Sequence, residues 1–171
     1  MILGYARHGK DTVADILVKS FGLKKGDSSR FAGKQVMLPY FESIGIHYAD
    51  FEECYKDRVN HRQEWFEQIA AYNTPDNARL AREIYQVSDM YVGMRRKEEF
   101  DAVKNARLFD YAIWVDATKR GIPVEPFTSN TMNPSMAGYV IDNSGTLEQL
   151  EIKTRALYWD LVSLEYAAKG R

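Results

Sequence analysis

Gly4-Tyr5-Ala6-Arg7-His8-Gly9-Lys10-Asp11-Thr12 is the stretch whose reading decides the fold. Gly4, Gly9 and Lys10 satisfy the G-x-x-x-x-G-K part of the pattern G-x-x-x-x-G-K-[ST]. Glycines let a backbone curl around phosphate oxygens with its N–H groups turned inward. A helix starting near Lys10 adds the positive end of its dipole, and Lys10 adds a full charge for the β and γ phosphates of a nucleotide. The flanks agree. Ile2 to Tyr5 reads as a short buried strand, and Asp11 to Phe21 as a helix with Val13, Ile16, Leu17 and Phe21 on one face, ended by Gly22. Arg7 and His8 fill the variable part of the loop; His8 either touches phosphate or is a solvated loop histidine. The residue after the lysine is Asp11, where a Ser or Thr is usual, and Thr12 follows. A carboxylate there can hold Mg²⁺ directly or through water, accept a proton, or cap the helix.

Outward from the loop, strand-like and helical segments alternate. Ser28 to Ala32 reads as a second strand and Lys34 to Ile44 as a helix stopped by Gly45. A long helical stretch covers about Ala49 to Tyr72, and Thr74 is expected to cap a new helix with Pro75 in its first position and Leu80, Ile84 and Val87 on one face. Met90 to Gly93, Tyr111 to Val115 and Tyr139 to Ile141 read as further strands, with a charged helix from Lys97 to Ala106. Thr146 caps a last helix with a leucine stripe: Leu147, Leu150, Leu157, Leu161 and Leu164. This alternation predicts an α/β fold, a mostly parallel sheet with helices on both faces. One domain over residues 1–171 is expected, with an acceptor-binding helical region at about 33–88 and an irregular lid at about 117–137.

The 171 residues carry a formal net charge of −1, which excludes a globally basic nucleic-acid binder. No run nears the ~18 apolar residues of a membrane span, and no secretory leader precedes the loop, so no membrane partner is expected. A single cysteine, Cys54, suits a reducing cytoplasm.

Two arginine clusters stand out. Arg58 and Arg62 are four apart in the long helical stretch, with Trp65 extending the same face. Such a face can fork onto phosphate and stack a base, or it can be a solvated surface balanced by Asp57, Glu64 and Glu67. Arg95 directly follows a strand's C-terminal end, where parallel α/β sheets place their sites.

Gly9-Lys10-Asp11-Thr12-Val13-Ala14-Asp15 resembles the G-K-D-T-x-A-D opening of the phage deoxynucleoside monophosphate kinases. Ser29-Arg30-Phe31-Ala32 resembles their acceptor-side S-x-F-A segment, and Gly93-Met94-Arg95 with Glu99 their G-V-R-x-x-x-E element. Tyr139 to Leu147 resembles the last strand and N-x-G-x-L turn found there and in dephospho-coenzyme A kinases. The resemblance implies the P-loop NTPase kinase fold, a five-stranded sheet in the order 2-3-1-4-5. It implies ATP and Mg²⁺ as cofactors, with Gly9, Lys10, Asn143 and Gly145 around the nucleotide and Asp11 and Thr12 at the metal. Ser29, Phe31, Arg95 and Glu99 would meet the acceptor, and Arg95 and Arg120 would act across the transferring group. The leading expectation is phosphorylation of a deoxynucleoside monophosphate. One alternative is a kinase for the hydroxymethyl group of hydroxymethyluracil in phage DNA, and another a nucleotide-binding module without turnover.

Overall fold

In a computed structural model, which describes residues 1–124 and 130–170, five strands form one sheet in the order β2-β3-β1-β4-β5. They are β1 (Ile2–Leu3), β2 (Lys25–Asp27), β3 (Met90–Val92), β4 (Ile113–Asp116) and β5 (Tyr139–Asp142), and every neighbouring pair is parallel. Ile2 is level with Val92 on one side and with Ile113 on the other, so β1 is the central strand. All five C-terminal ends therefore emerge along one edge of the sheet. The chain leaves β1 towards β2 and leaves β4 towards β5, in opposite directions. The crevice between those two strand ends is the topological switch point at which open parallel sheets bind ligands.

Alternation along the strands splits the interior into two layers. Leu3, Tyr91 and Trp114 face one way with Leu80, Ile84, Phe100 and Val103. Ile2, Met90, Val92, Ile113 and Val115 face the other, with Val13, Ile16, Leu17, Leu150 and Leu161. The first layer is covered by α6 (Arg79–Val87) and α7 (Lys97–Asn105), the second by α1 (Lys10–Phe21) and α8 (Leu147–Lys169). Each fully buried large side chain is worth about 1.5–3 kcal/mol, and a parallel sheet needs both covers. Gly22 closes α1 in the left-handed conformation, its N–H bonded to the Val18 carbonyl. Thr146 opens α8 with a capping box shared with Gln149. Among the described residues no helix is long and apolar enough to cross a membrane.

Residues 28–72 differ from expectation. Ser28–Ala32 is a helix, α2, not a strand, because Asp27 accepts from the Arg30 N–H and caps it. The second strand lies just before, at Lys25–Asp27, where Gly26 is obligatory: a Cβ would come within 2.6 Å of the Met90 carbonyl oxygen. A π-helical turn, Gly33–Met37, leads into α3 (Leu38–Ser43). The long helical stretch is two helices, α4 (Phe51–Asp57) and α5 (Arg62–Tyr72), because Asp57 draws Asn60 and His61 into a local turn. These elements have their own small core of Met37, Phe41, Cys54 and Trp65. Thr74 does not cap a helix: its hydroxyl donates back to the Ala70 carbonyl, the Thr74–Pro75 bond is cis, and α6 starts at Arg79. The stripe on α8 narrows to Leu150 and Leu161 with Leu157 half-buried, while Leu147 and Leu164 face solvent.

Candidate functional site

The loop after β1 is built around two backbone conformations that β-carbons oppose. Gly4 has φ +151, and a Cβ there would lie 2.7 Å from the Val115 carbonyl oxygen on β4. Gly9, the N-cap of α1, has φ +96, and its Cβ would lie 2.4 Å from the Asn143 side-chain nitrogen. Arg7 adopts φ +64 without being glycine, so the loop carries strain at its crest, where Arg7 is exposed. No described side chain caps α1, which leaves its first-turn N–H groups directed along the helix axis towards the crevice. Lys10 is the first residue of that helix and its side chain is 13% exposed.

Asp11 and Thr12 lie on the same first turn, both exposed. The Asp11 carboxylate is 58% exposed, 3.2 Å from the Lys25 ammonium and 4.0 Å from that of Lys10. Burial alone would lower the Lys25 pKa, but bonds to Asp15 and Asp11 outweigh it and raise the value. Among the described residues no three His, Cys, Asp or Glu side chains converge as a metal cage. One carboxylate and one hydroxyl are nevertheless a donor set that suits Mg²⁺, which keeps several waters and takes its remaining oxygens from phosphates.

His8 is neither solvated nor at the loop surface. Its side chain is 0% exposed, and Nδ1 accepts the Ala117 N–H at 3.0 Å, beside the Asp116 carboxylate at 3.6 Å. Asn143, only 6% exposed, donates from Nδ2 to the His8 carbonyl at 3.0 Å. Asn143 therefore braces the loop from beneath. Gly145 is exposed, next to the capping box of α8. Arg120 is exposed in a 3₁₀ turn, Thr118–Arg120, just beyond β4. Of the lid expected at 117–137, residues 125–129 lie outside the described ones.

Farther along the same edge of the sheet, at the end of β2, lies Asp27. Ser29 donates to the Asp27 carboxylate at 2.8 Å, so the Tyr55 hydroxyl, 2.7 Å away, donates to Ser29. The Tyr55 ring carries two guanidiniums, Arg30 at 4.8 Å and Arg58 at 4.0 Å from its centroid, and Arg30 also pairs with Glu52. Phe31 is half-buried against the first core layer. Arg58 and Arg62 do not share a continuous helical face, because α4 ends before Arg58 and α5 begins at Arg62. Trp65 is 7% exposed and its ring lies where a Cβ on Gly33 would meet it at 2.8 Å, so it is core and not a stacking platform.

Arg95 is exposed just past β3, and its carbonyl accepts the Thr131 N–H at 2.9 Å. Glu99, in the first turn of α7, is buried and accepts from Asn73 Nδ2 at 3.2 Å. Burial pushes its carboxyl above the usual range, against the opposing pull of the Asn73 bond and the Arg96 charge. Sequence reasoning missed Asp27, Tyr55 and Lys25. The Asp-Ser-Ser run at 27–29 is a helix-cap signal that would have located Asp27, whereas nothing in sequence marks Tyr55 or Lys25.

What this geometry defines is a parallel α/β protein with strand order 2-3-1-4-5, its glycine-lysine loop at the switch point of the sheet. No protein-family model matches the chain, and no curated protein matches it.

Proposed function

We propose that the chain is an ATP-dependent phosphotransferase that moves the γ-phosphoryl group to a nucleotide, foremost a deoxynucleoside monophosphate. The observation that carries the reading is the loop from Gly4 to Lys10. It joins the central strand to an uncapped helix, and it is glycine at the two points where β4 and Asn143 press closest. A backbone held that way presents N–H groups to phosphate oxygens, with Lys10 at the β and γ positions. Mg²⁺, held at Asp11 and Thr12 with ATP, would neutralise phosphate charge.

In the transfer, the bond from the γ-phosphorus to the β–γ bridging oxygen breaks and a bond to the acceptor oxygen forms, with ADP leaving. Lys10 and the loop amides stabilise the charge that develops on the donor side. Arg95 and Arg120 follow β3 and β4, on either side of β1; on this reading they serve the transferring group. An acceptor phosphate is already anionic near neutral pH and needs no general base.

The Tyr55 cluster favours a second reading. Three cations, Arg30, Lys34 and Arg58, lie over Phe51 and Tyr55, the kind of surface that tracks a nucleic-acid strand. On that reading the acceptor is the hydroxymethyl group of hydroxymethyluracil within DNA. Incubating the protein with γ-labelled ATP and either the free deoxynucleoside monophosphates or hydroxymethyluracil-containing DNA separates the two. Label in nucleoside diphosphates supports the first, label only in DNA the second, and label in neither rejects both.

A further inference from the structure

His8 lies in the phosphate loop, yet its ring takes no part in the loop's outer surface. Nδ1 accepts the Ala117 N–H, which leaves the proton of the neutral ring on Nε2. That nitrogen is buried with no hydrogen-bond partner among the described residues, and the ring packs on Tyr5 at 5.3 Å between centroids. An unpaired buried donor is costly, so a histidine here carries a penalty that a smaller acceptor in its place would avoid. Its backbone is engaged as well, with the N–H on the Tyr5 carbonyl at 3.3 Å and the carbonyl on Asn143. Two of these contacts, those with Ala117 and Asn143, span the switch-point crevice from the loop after β1 to the ends of β4 and β5, while those with Tyr5 stay within the loop.

The β4 end that His8 holds carries a carboxylate. Asp116 accepts the Thr118 N–H on one oxygen at 2.9 Å and the Thr118 hydroxyl on the other at 3.1 Å, folding the chain back over Ala117. Arg120 follows within the same turn. Moving the phosphate loop therefore moves the Ala117 N–H, and with it the corner bearing Asp116 and Arg120.

We propose that His8 is a positioning residue of the phosphate-transfer site, coupling nucleotide occupancy of the loop to the Asp116–Arg120 corner through its Nδ1 bond to Ala117. The proposal rests on the phosphotransferase reading given above. Its elements are one backbone N–H and one ring nitrogen, so it can be tested atom by atom. Asn places an acceptor close to the position of Nδ1, Gln carries its amide out towards Nε2, and Leu offers neither.

The first measurement needs no variant. Calorimetry establishes whether ATP with Mg²⁺ binds the unaltered chain, and amide hydrogen exchange then follows Ala117 with and without the nucleotide. Slower exchange at Ala117 on binding is the expected result. Binding with unchanged exchange at Ala117 overturns the coupling and leaves the phosphotransferase reading standing; no binding at all overturns both. The second measurement is kinetic. His8→Asn should keep kcat and the KM for ATP near those of the unaltered protein. His8→Gln should lose about tenfold in kcat/KM for ATP, the scale of one buried hydrogen bond, with the acceptor KM unmoved. Equal damage from Asn and Gln would mean that the ring only fills space, and the proposal would fail.

Discussion

Asn143 and Gly9 occupy one another's space: the Asn143 Nδ2 sits 2.4 Å from where a β-carbon on Gly9 would be. The same nitrogen donates to the His8 carbonyl, so the last strand's exit holds the loop that follows the first. Gly9→Ala therefore meets two obstacles, a φ of +96 and a collision with a buried side chain. The conformation alone costs about 1–2 kcal/mol for an L-residue. Asn143→Asp keeps the shape but sets a carboxylate against a carbonyl, and the lost bond is expected to destabilise the protein by about 1–3 kcal/mol. Thermal melting should show both losses. The KM for ATP should rise in each, and an unshifted KM in Asn143→Asp would mean that the loop keeps its shape without its brace.

Lys10→Met removes a charge from the first turn of α1 and keeps most of its side-chain volume. Lys10 is only 13% exposed, and methionine tolerates that environment. The fold should survive, with circular dichroism and melting close to those of the unaltered protein. Phosphoryl transfer should fall by on the order of 10²–10³, the usual cost of deleting one group that stabilises transition-state charge. Turnover within threefold or so of normal would remove Lys10 from the machinery.

The sheet was legible because its strands are short apolar runs bounded by turns, and because the loop sequence fixes what precedes and follows it. The run Tyr111 to Val115 needed no more than its own side chains to suggest a buried strand; the strand is Ile113–Asp116, with Trp114 fully buried. β2 was misplaced by a few residues because Lys25-Gly26-Asp27 has no apolar pattern; the ladder to Met90–Val92 makes it a strand. Arg58, Arg62 and Trp65 illustrate the opposite failure. Their spacing is helical, but Asp57 breaks the helix with a side-chain bond that no periodicity reports. At the site, residue types on the loop were readable from local chemistry. The brace from Asn143 and the bond from Ala117 to His8 cross 135 and 109 residues of chain, and only the fold brings those partners together.

Glu99 supplies a test of electrostatics. Burial raises its pKa, so the folded protein binds that proton more tightly than the unfolded chain. Stability contributed by the protonated form is full below the ordinary carboxylate range and is lost as pH climbs towards the raised value. Glu99→Gln retains a carbonyl to accept from Asn73 and has no charge to bury. The variant should melt higher than the unaltered protein at pH 7, and the two should converge near pH 4. Equal melting temperatures across that range would indicate that water or an unseen cation already compensates the carboxylate.

Tyr55 and Trp65 stand 6.0 Å apart, ring centroid to centroid, and should answer to different assays. Trp65 closes the small core beside Met37 and Phe41 and lies against the backbone of Gly33. Trp65→Ala should therefore cost about 3–5 kcal/mol of stability, with residual activity tracking the folded fraction. Tyr55 instead carries Arg30 and Arg58 over its ring and anchors Ser29 through its hydroxyl. Tyr55→Leu releases both guanidiniums and should raise the acceptor KM while leaving the KM for ATP unchanged. Tyr55→Phe separates the two roles, because it keeps the stacking and loses only the bond to Ser29. If the stacked cations grip the acceptor, Phe should sit close to the unaltered protein and Leu far from it. Raising salt from 50 to 200 mM should then weaken a DNA acceptor steeply and a free monophosphate only mildly, because the strand engages several phosphates at once. A Tyr55→Leu protein with normal acceptor KM at both salt concentrations would detach this cluster from the acceptor and leave Arg95 as the phosphate contact to examine.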